Sequence, residues 1–153
     1  CTLRWSKETA QKRMENIISG YYTDGKKLDA VISPFDGMSY GIAAALEGAG
    51  YKVGSNWPLI TGQDAELKAT KNILSGKQTM TVFKDTRVLA DKCVTMVQAV
   101  LEGKTPEIND TESYDNRKQV VPSFLCTPTL VDKDNVKSAL IDSNYYKASD
   151  IGL

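Results

Sequence analysis

Histidine is missing altogether from the 153 residues. That one absence excludes Ser-His-Asp and Cys-His nucleophile activation, histidine-ligated zinc and histidine pH switching. An excess of either charge is missing too: 19 basic residues stand against 19 acidic ones, so the chain has no electrostatic footprint for nucleic acid. No apolar run approaches the ~18 residues of a membrane span. The first residues also lack the basic and apolar regions of a signal peptide, so a targeting segment of an exported parent would lie outside this chain. Cysteine is scarce. Cys1, Cys93 and Cys126 are odd in number and without metal-type spacing, which rules out a complete disulfide framework and implies no metal site. Cys93 is expected on a buried apolar helix face with Leu89, Met96, Val97 and Val100, as a small hydrophobe. No lipobox precedes Cys1, so truncation explains that position better than a lipid anchor does. Phosphate-binding signatures are missing as well. There is no Walker lysine motif, and Gly48-Ala49-Gly50 with Gly54 follows a helix instead of opening one after a strand.

What the sequence does contain is an ordinary globular balance, 41% hydrophobic and 25% charged, in a length suited to one domain or one lobe. Its hydrophobic pattern alternates between two periods, the mark of an α/β fold. Helices are expected over 6–19, 37–49, 65–74, 86–102 and 133–141, with Ser6 as the first N-cap and Gly20, Gly76 and Gly103 as helix stops. Short buried strands are expected over 29–33, 59–61 and 79–83. The segment 119–126 reads as extended, and Pro122 marks it as an edge or crossover. Strands alternating with helices imply a parallel sheet flanked by helices. The chain opens almost directly on a helix, so it reads as cut into rather than started, and a cut fragment is expected to expose sheet edges and to self-associate.

Ligands of open parallel sheets bind beyond the carboxyl ends of the strands, facing helix N-termini. That rule selects Phe35 and Asp36 after the first strand, Gln63 and Asp64 after the second, and Lys84 and Asp85 after the third. Asp36 and Asp64 also stand where N-caps belong, and capping alone accounts for an aspartate there. Lys84 on its own equally reads as a solvated lysine. Trp5 is either a core anchor or an aromatic platform, and Arg4 beside it offers a fork of donors. Together Arg4, Trp5, Phe35, Asp36, Asp64 and Lys84 combine flat apolar surface with charged donors and acceptors. A sugar ring needs that mixture, with C–H faces against aromatics and vicinal hydroxyls on a carboxylate. A carboxylate pair for acid–base work has no sign of the separated environments such a pair requires.

The segments Thr2-Leu3-Arg4-Trp5, Asp29-Ala30-Val31-Ile32-Ser33-Pro34-Phe35-Asp36-Gly37, Thr61-Gly62-Gln63-Asp64-Ala65-Glu66 and Thr79-Met80-Thr81-Val82-Phe83-Lys84-Asp85 resemble, in order, the periplasmic monosaccharide-binding proteins of ABC transporters. The similarity is greatest to the multiple-sugar-binding branch, relatives of the xylose-binding proteins. It spans nearly the whole chain and extends to Val120-Val121-Pro122-Ser123 and Asp142-Ser143-Asn144-Tyr145-Tyr146.

The resemblance implies one lobe, mostly the C-terminal one, of a two-lobed periplasmic-binding-protein fold. Residues 1–84 would form the lobe without its first strand. Residues 85–118 would be a helix and loop packing on the other lobe, and 119–153 the return strand and last helix. It further implies a non-enzymatic protein without cofactor, located in the periplasm or outside the cell. Such a protein closes on an aldopentose or aldohexose and presents itself to a membrane permease or, alternatively, to a membrane sensor. Any lipid anchor would come from a segment outside this chain. Carried over by position, Trp5 is the stacking tryptophan, Asp64 the hydroxyl acceptor and Lys84 a hinge donor. Phe35 replaces the asparagine of the xylose-binding relatives and Arg4 marks the multiple-sugar branch.

Overall fold

A computed structural model describes residues 2–153, so Cys1 and any role for it lie outside the described residues. The chain divides into two compact units, 2–83 with 129–153, and 84–128.

The first unit opens with a 3-10 turn, Leu3–Trp5, and helix α1, Lys7–Tyr21. The Ser6 hydroxyl caps α1 by accepting from the Thr9 N–H at 3.1 Å. Gly20 does not end the helix as its type suggested: α1 runs one residue further, and the left-handed residues that turn the chain are Asp24 and Gly25. Strand β1 (Ala30–Val31) leads to α2 (Asp36–Gly48), then β2 (Leu59–Ile60), α3 (Leu67–Leu74) and β3 (Met80–Phe83). Gly76, at φ 77°, supplies the left-handed residue just past α3.

β1 and β2 are parallel, with Ala30 opposite Leu59 and Val31 opposite Ile60. Beyond β2 the chain lies parallel to β3 through a Gln63–Val82 bridge, the Asp64 N–H donating to the Val82 carbonyl at 2.9 Å. The parallel sheet flanked by helices is as expected, and an antiparallel edge follows it. Strand β4, Thr129–Asp132, pairs antiparallel with β3, with Phe83 opposite Thr129 and Met80 opposite Asp132. The segment 119–126 forms no strand of its own. It contributes isolated bridges (Asp110–Ser123 and Asp115–Val120), because Pro122 removes a donor and its side chains are largely exposed. The last predicted helix shrinks to a π-type turn, Lys137–Ile141, followed by a four-residue helix α5, Ala148–Ile151, that periodicity did not reveal.

Two apolar clusters hold this unit. Met14, Ile18, Leu28, Ile42, Ala45, Leu46 and Ile60 join α1 and α2 to the β1–β2 pair. Ala65, Phe83, Val131, Val136, Leu140 and Ile151 pack around β3 and β4. Full burial of each large side chain such as Leu46, Ile60 and Leu140 contributes about 1.5–3 kcal/mol. The helices α1 and α2 approach so closely at Gly41 that a Cβ there would overlap the Lys7 carbonyl oxygen.

The second unit carries helix α4, Thr86–Leu101. Asp85 caps it, accepting from the Arg87 N–H at 2.9 Å, and the Arg87 guanidinium grips the same carboxylate at 2.6 Å. That hydrogen-bonded guanidinium holds the Asp85 carboxyl below its ordinary range. Lys92 lies 4.0 Å from the centre of the Phe124 ring and pairs with Glu107 at 2.7 Å. No residue of α4 is buried, which corrects the expectation for Cys93: it is exposed, along with Val94, Val97, Val100 and Leu101. The helical period shows which face is apolar, not whether that face is covered.

Candidate functional site

Trp5, Phe35, Gln63 and Asp64 come together at the carboxyl end of the first unit's strands, around an open cavity of about 210 Å3. This is below the roughly 300–1,000 Å3 of an enclosed ligand pocket, so the cavity forms one wall of a site. A larger hollow of about 290 Å3 between α1 and α2 is lined by Ile18, Ala45, Gly48 and Ala49 with only Glu15 and Ser19 as polar side chains, and it brings no polar groups into convergence.

The cavity's aromatic corner is built by unusual backbone. Arg4 and Trp5 both stand at φ 55°, left-handed for residues with a Cβ, and this carries the Trp5 ring out of the first turn, where 57% of the residue is exposed. The Trp5 and Phe35 rings meet edge to face with centroids 6.2 Å apart. Asp64 and Ala65 are left-handed as well, at φ 96° and 51°, so four of the seven non-glycine residues with positive φ among the described residues flank this cavity. Such conformations persist only where surrounding contacts over-determine them, and they concentrate at ligand sites.

The strand ends beside the cavity are joined by side chains in place of sheet pairing. Past β1 and β2 the Thr61 hydroxyl accepts from the Ser33 N–H at 2.8 Å and donates to the Ser33 carbonyl at 2.9 Å. The Ser39 hydroxyl reaches the Thr61 carbonyl at 2.8 Å and the Phe35 carbonyl at 3.1 Å. Phe35 is thereby the N-cap residue of α2, with no side-chain cap, and its ring is left for the cavity.

Asp36 departs from both sequence expectations. It caps nothing on its own helix and it does not reach the surface, being 0% exposed. Its Oδ1 accepts from Gln78 Nε2 at 2.8 Å and its Oδ2 from the Glu66 N–H at 2.9 Å, with the Thr81 hydroxyl 2.9 and 3.1 Å from the two oxygens. Burial raises its carboxyl above the ordinary value, against the opposing effect of these hydrogen bonds. Asp64 is not a cap either, since α3 begins only at Leu67 after Glu66; its side chain is exposed at the cavity rim. Arg4 is exposed beside Trp5 but does not line the cavity. Lys84 is exposed where the second unit begins, one residue past β3. Gln63, half-buried, lines the cavity although the proposed binding set does not include it; its strand-end position in one turn with Asp64 is the signal for it in the sequence. No cluster of metal-ligating side chains occurs among the described residues.

Comparisons with known proteins place the chain in a family. The chain is 52% identical over 98% of its length to the multiple sugar-binding periplasmic receptor ChvE of Rhizobium radiobacter, and covers 42% of that protein. It is 35% identical over 96% of its length to the D-xylose-binding periplasmic protein of Escherichia coli, again covering 42% of the relative. Among solved structures it is similar to an ABC transporter solute-binding protein from Clostridium phytofermentans with bound β-D-glucose, at 50% identity and a TM-score of 0.88, covering 96% of this chain and 44% of that one. The chain thus spans less than half the length of these relatives. A family model described as the periplasmic binding protein domain matches residues 1–105, and the chain belongs to that family.

Proposed function

We propose that the chain is one lobe of a two-lobed solute-binding protein that captures a monosaccharide, an aldopentose or aldohexose, for an ABC sugar transporter in the periplasm. It acts by binding with closure of the lobes, without catalysis. The observation that carries this reading is the cavity wall itself: two perpendicular aromatic rings beside Gln63 and Asp64 at the strands' carboxyl ends. A sugar's C–H face packs on Trp5 or Phe35 while Asp64 accepts from vicinal hydroxyls and the Gln63 amide both donates and accepts. Arg4 and Lys84 are proposed as further donors to sugar oxygens. The open shape supports a second jaw from the other lobe, and the uncovered apolar face of α4 supports the assignment of residues 85–118 to contact with it. The chain leaves the first unit after Phe83 and returns at Thr129, which are register partners, and adjacent crossings suit a hinge.

The test is thermal melting against a panel of aldopentoses and aldohexoses, run on this chain and on the two-lobed protein that carries it. A sugar at 100 times its Kd adds about 2.7 kcal/mol of stability. A shift in the two-lobed protein with one or a few sugars is the expected result, and no shift with any sugar there overturns the proposal. Co-purification with a permease rather than a membrane sensor distinguishes transport from signalling.

A further inference from the structure

We propose that Asp36 is the positioning residue of this site: a buried carboxylate that locks the Gly62–Glu66 turn onto the first turn of α2 and so fixes Gln63 and Asp64 against Phe35 before any ligand arrives. The inference rests on the sugar-binding reading for its function and on the geometry alone for its mechanics.

One residue holds the turn at two points. The Asp36 N–H donates to the Gln63 carbonyl at 3.0 Å, and its Oδ2 accepts from the Glu66 N–H at 2.9 Å. Asp64 and Ala65, the two left-handed residues, lie between those anchors. The neighbouring residue, Phe35, supplies the aromatic wall, so wall and rim hang from consecutive positions of one helix start. From the other side the Thr81 hydroxyl accepts from the Ala65 N–H at 3.1 Å while donating to Asp36, so β3 grips the same turn through the same carboxylate. Gly62 completes the arrangement. A Cβ at that position would overlap both Asp36 Oδ1 and Gln78 Nε2, so only glycine lets the turn pass this close.

The network is built around an acceptor. Gln78 Nε2 donates to Asp36 and, at 3.1 Å, to the Met80 carbonyl, which leaves Gln78 Oε1 buried without a hydrogen-bond partner. A buried amide normally turns so as to satisfy both ends. Here the demand of a carboxylate for donors fixes its orientation. Asparagine at position 36 changes that balance. Its carbonyl keeps the Glu66 N–H, and its amide donates to the oxygen of a flipped Gln78, at the cost of the bond to Met80 and of moving Gln78 Nε2 to the partnerless position that Oε1 holds in the native chain.

The experiment has two arms. In the 153-residue chain, amide hydrogen exchange at Glu66 and Ala65 is compared between the native sequence, Asp36→Ala, Asp36→Asn, Thr81→Val and the core control Ile73→Val. In the two-lobed protein, calorimetric titration uses the sugar selected by the panel, at a temperature where every variant is folded. Asp36→Ala is expected to lose protection at Glu66 and to weaken sugar binding about tenfold to a hundredfold, the scale of a lost charge-assisted hydrogen bond. Asp36→Asn recovers part of both losses, and Thr81→Val keeps Glu66 protected while loosening Ala65. Ile73→Val lowers the melting temperature without changing either readout. Unchanged Glu66 protection in Asp36→Ala, or an affinity loss no larger than in Ile73→Val, overturns the proposal. If Asp36→Ala does not fold, Asp36→Asn and Thr81→Val decide by the same readouts. If the native protein binds no sugar, the sugar reading falls and the exchange arm alone judges the lock.

Discussion

Gly20 and Gly41 both lie within helices, and replacing each by alanine should move stability in opposite directions. In an unobstructed helix, alanine is favoured over glycine by roughly 0.5–1 kcal/mol because glycine loses more backbone entropy on folding. Gly20, in α1, has nothing within 4 Å of where a Cβ would stand, so Gly20→Ala should gain about that amount. At Gly41 in α2 the same Cβ would overlap the Lys7 carbonyl oxygen and sit 3.0 Å from the Gln11 nitrogen. These are backbone atoms of α1 and cannot rotate away, so the two helices must separate. Overpacking of this kind costs about 1–3 kcal/mol, which outweighs the propensity gain and leaves a net loss of about 1–2 kcal/mol. Separation also loosens Met14, Ile18, Ile42 and Leu46, which meet across the same interface. At this chain length 1 kcal/mol is about 2–4 °C in Tm. Thermal melting by circular dichroism should therefore show Gly20→Ala up by about 1–4 °C and Gly41→Ala down by about 2–8 °C. A Gly41→Ala variant as stable as Gly20→Ala would refute the close helix approach on which the placement of α2, and with it Phe35 and Asp36, depends.

Trp5→Ala should weaken sugar binding in the two-lobed protein by at least about tenfold, the loss of a stacked aromatic surface. In the 153-residue chain Trp57→Phe leaves Trp5 as the remaining one of two tryptophans; a sugar that shifts the melting of this chain should change its fluorescence, and a silent signal with such a sugar would separate Trp5 from the site. The pH dependence of Asp36 follows from its raised carboxyl: above the ordinary value of 3.8 the folded chain holds a proton that the unfolded chain has released. Its contribution to stability therefore falls as pH rises from 3.8 through the raised value, so the Tm advantage of the native sequence over Asp36→Asn should shrink across that window; an advantage that grows would contradict the burial effect. The uncovered faces carrying Ile32, Val94, Val100 and Leu101 should drive self-association of the isolated chain. Light scattering reporting a monodisperse monomer at high concentration would count against that expectation.

Periodicity places α1 to α4, and short apolar runs place the first three strands, but β1 is not the buried strand expected: Ala30 is exposed and Ile32 beyond it is 88% exposed, because an apolar run does not show that something covers it. The strand-end rule then found Phe35, Gln63 and Asp64, and the family resemblance added a role for Trp5. What was not legible depends on partners far along the chain. β4 is four residues long, and it is defined by pairing with β3, not by its own pattern. Asp36 looked like a cap or a ligand because its type and position suit both. Only the fold shows Gln78, Thr81 and the Glu66 amide converging beneath it. Cys93 failed for the reverse reason, since an apolar helix face was read as a covered one.

The layering beneath the cavity separates two jobs that many sites combine. The side chains that face solvent at the wall, Phe35, Gln63 and Asp64, do not hold the turn in place. That task falls to Asp36, Gly62, Gln78 and Thr81, all buried. Ligand preference and architecture can thus vary as nearly independent characters. A library randomised at 35 and 63 should yield mostly folded proteins with shifted sugar preferences, whereas the same diversity at 62 or 81 should yield mostly misfolded ones. The lobe is in that sense a palette on a fixed easel, open to new specificities by surface change alone.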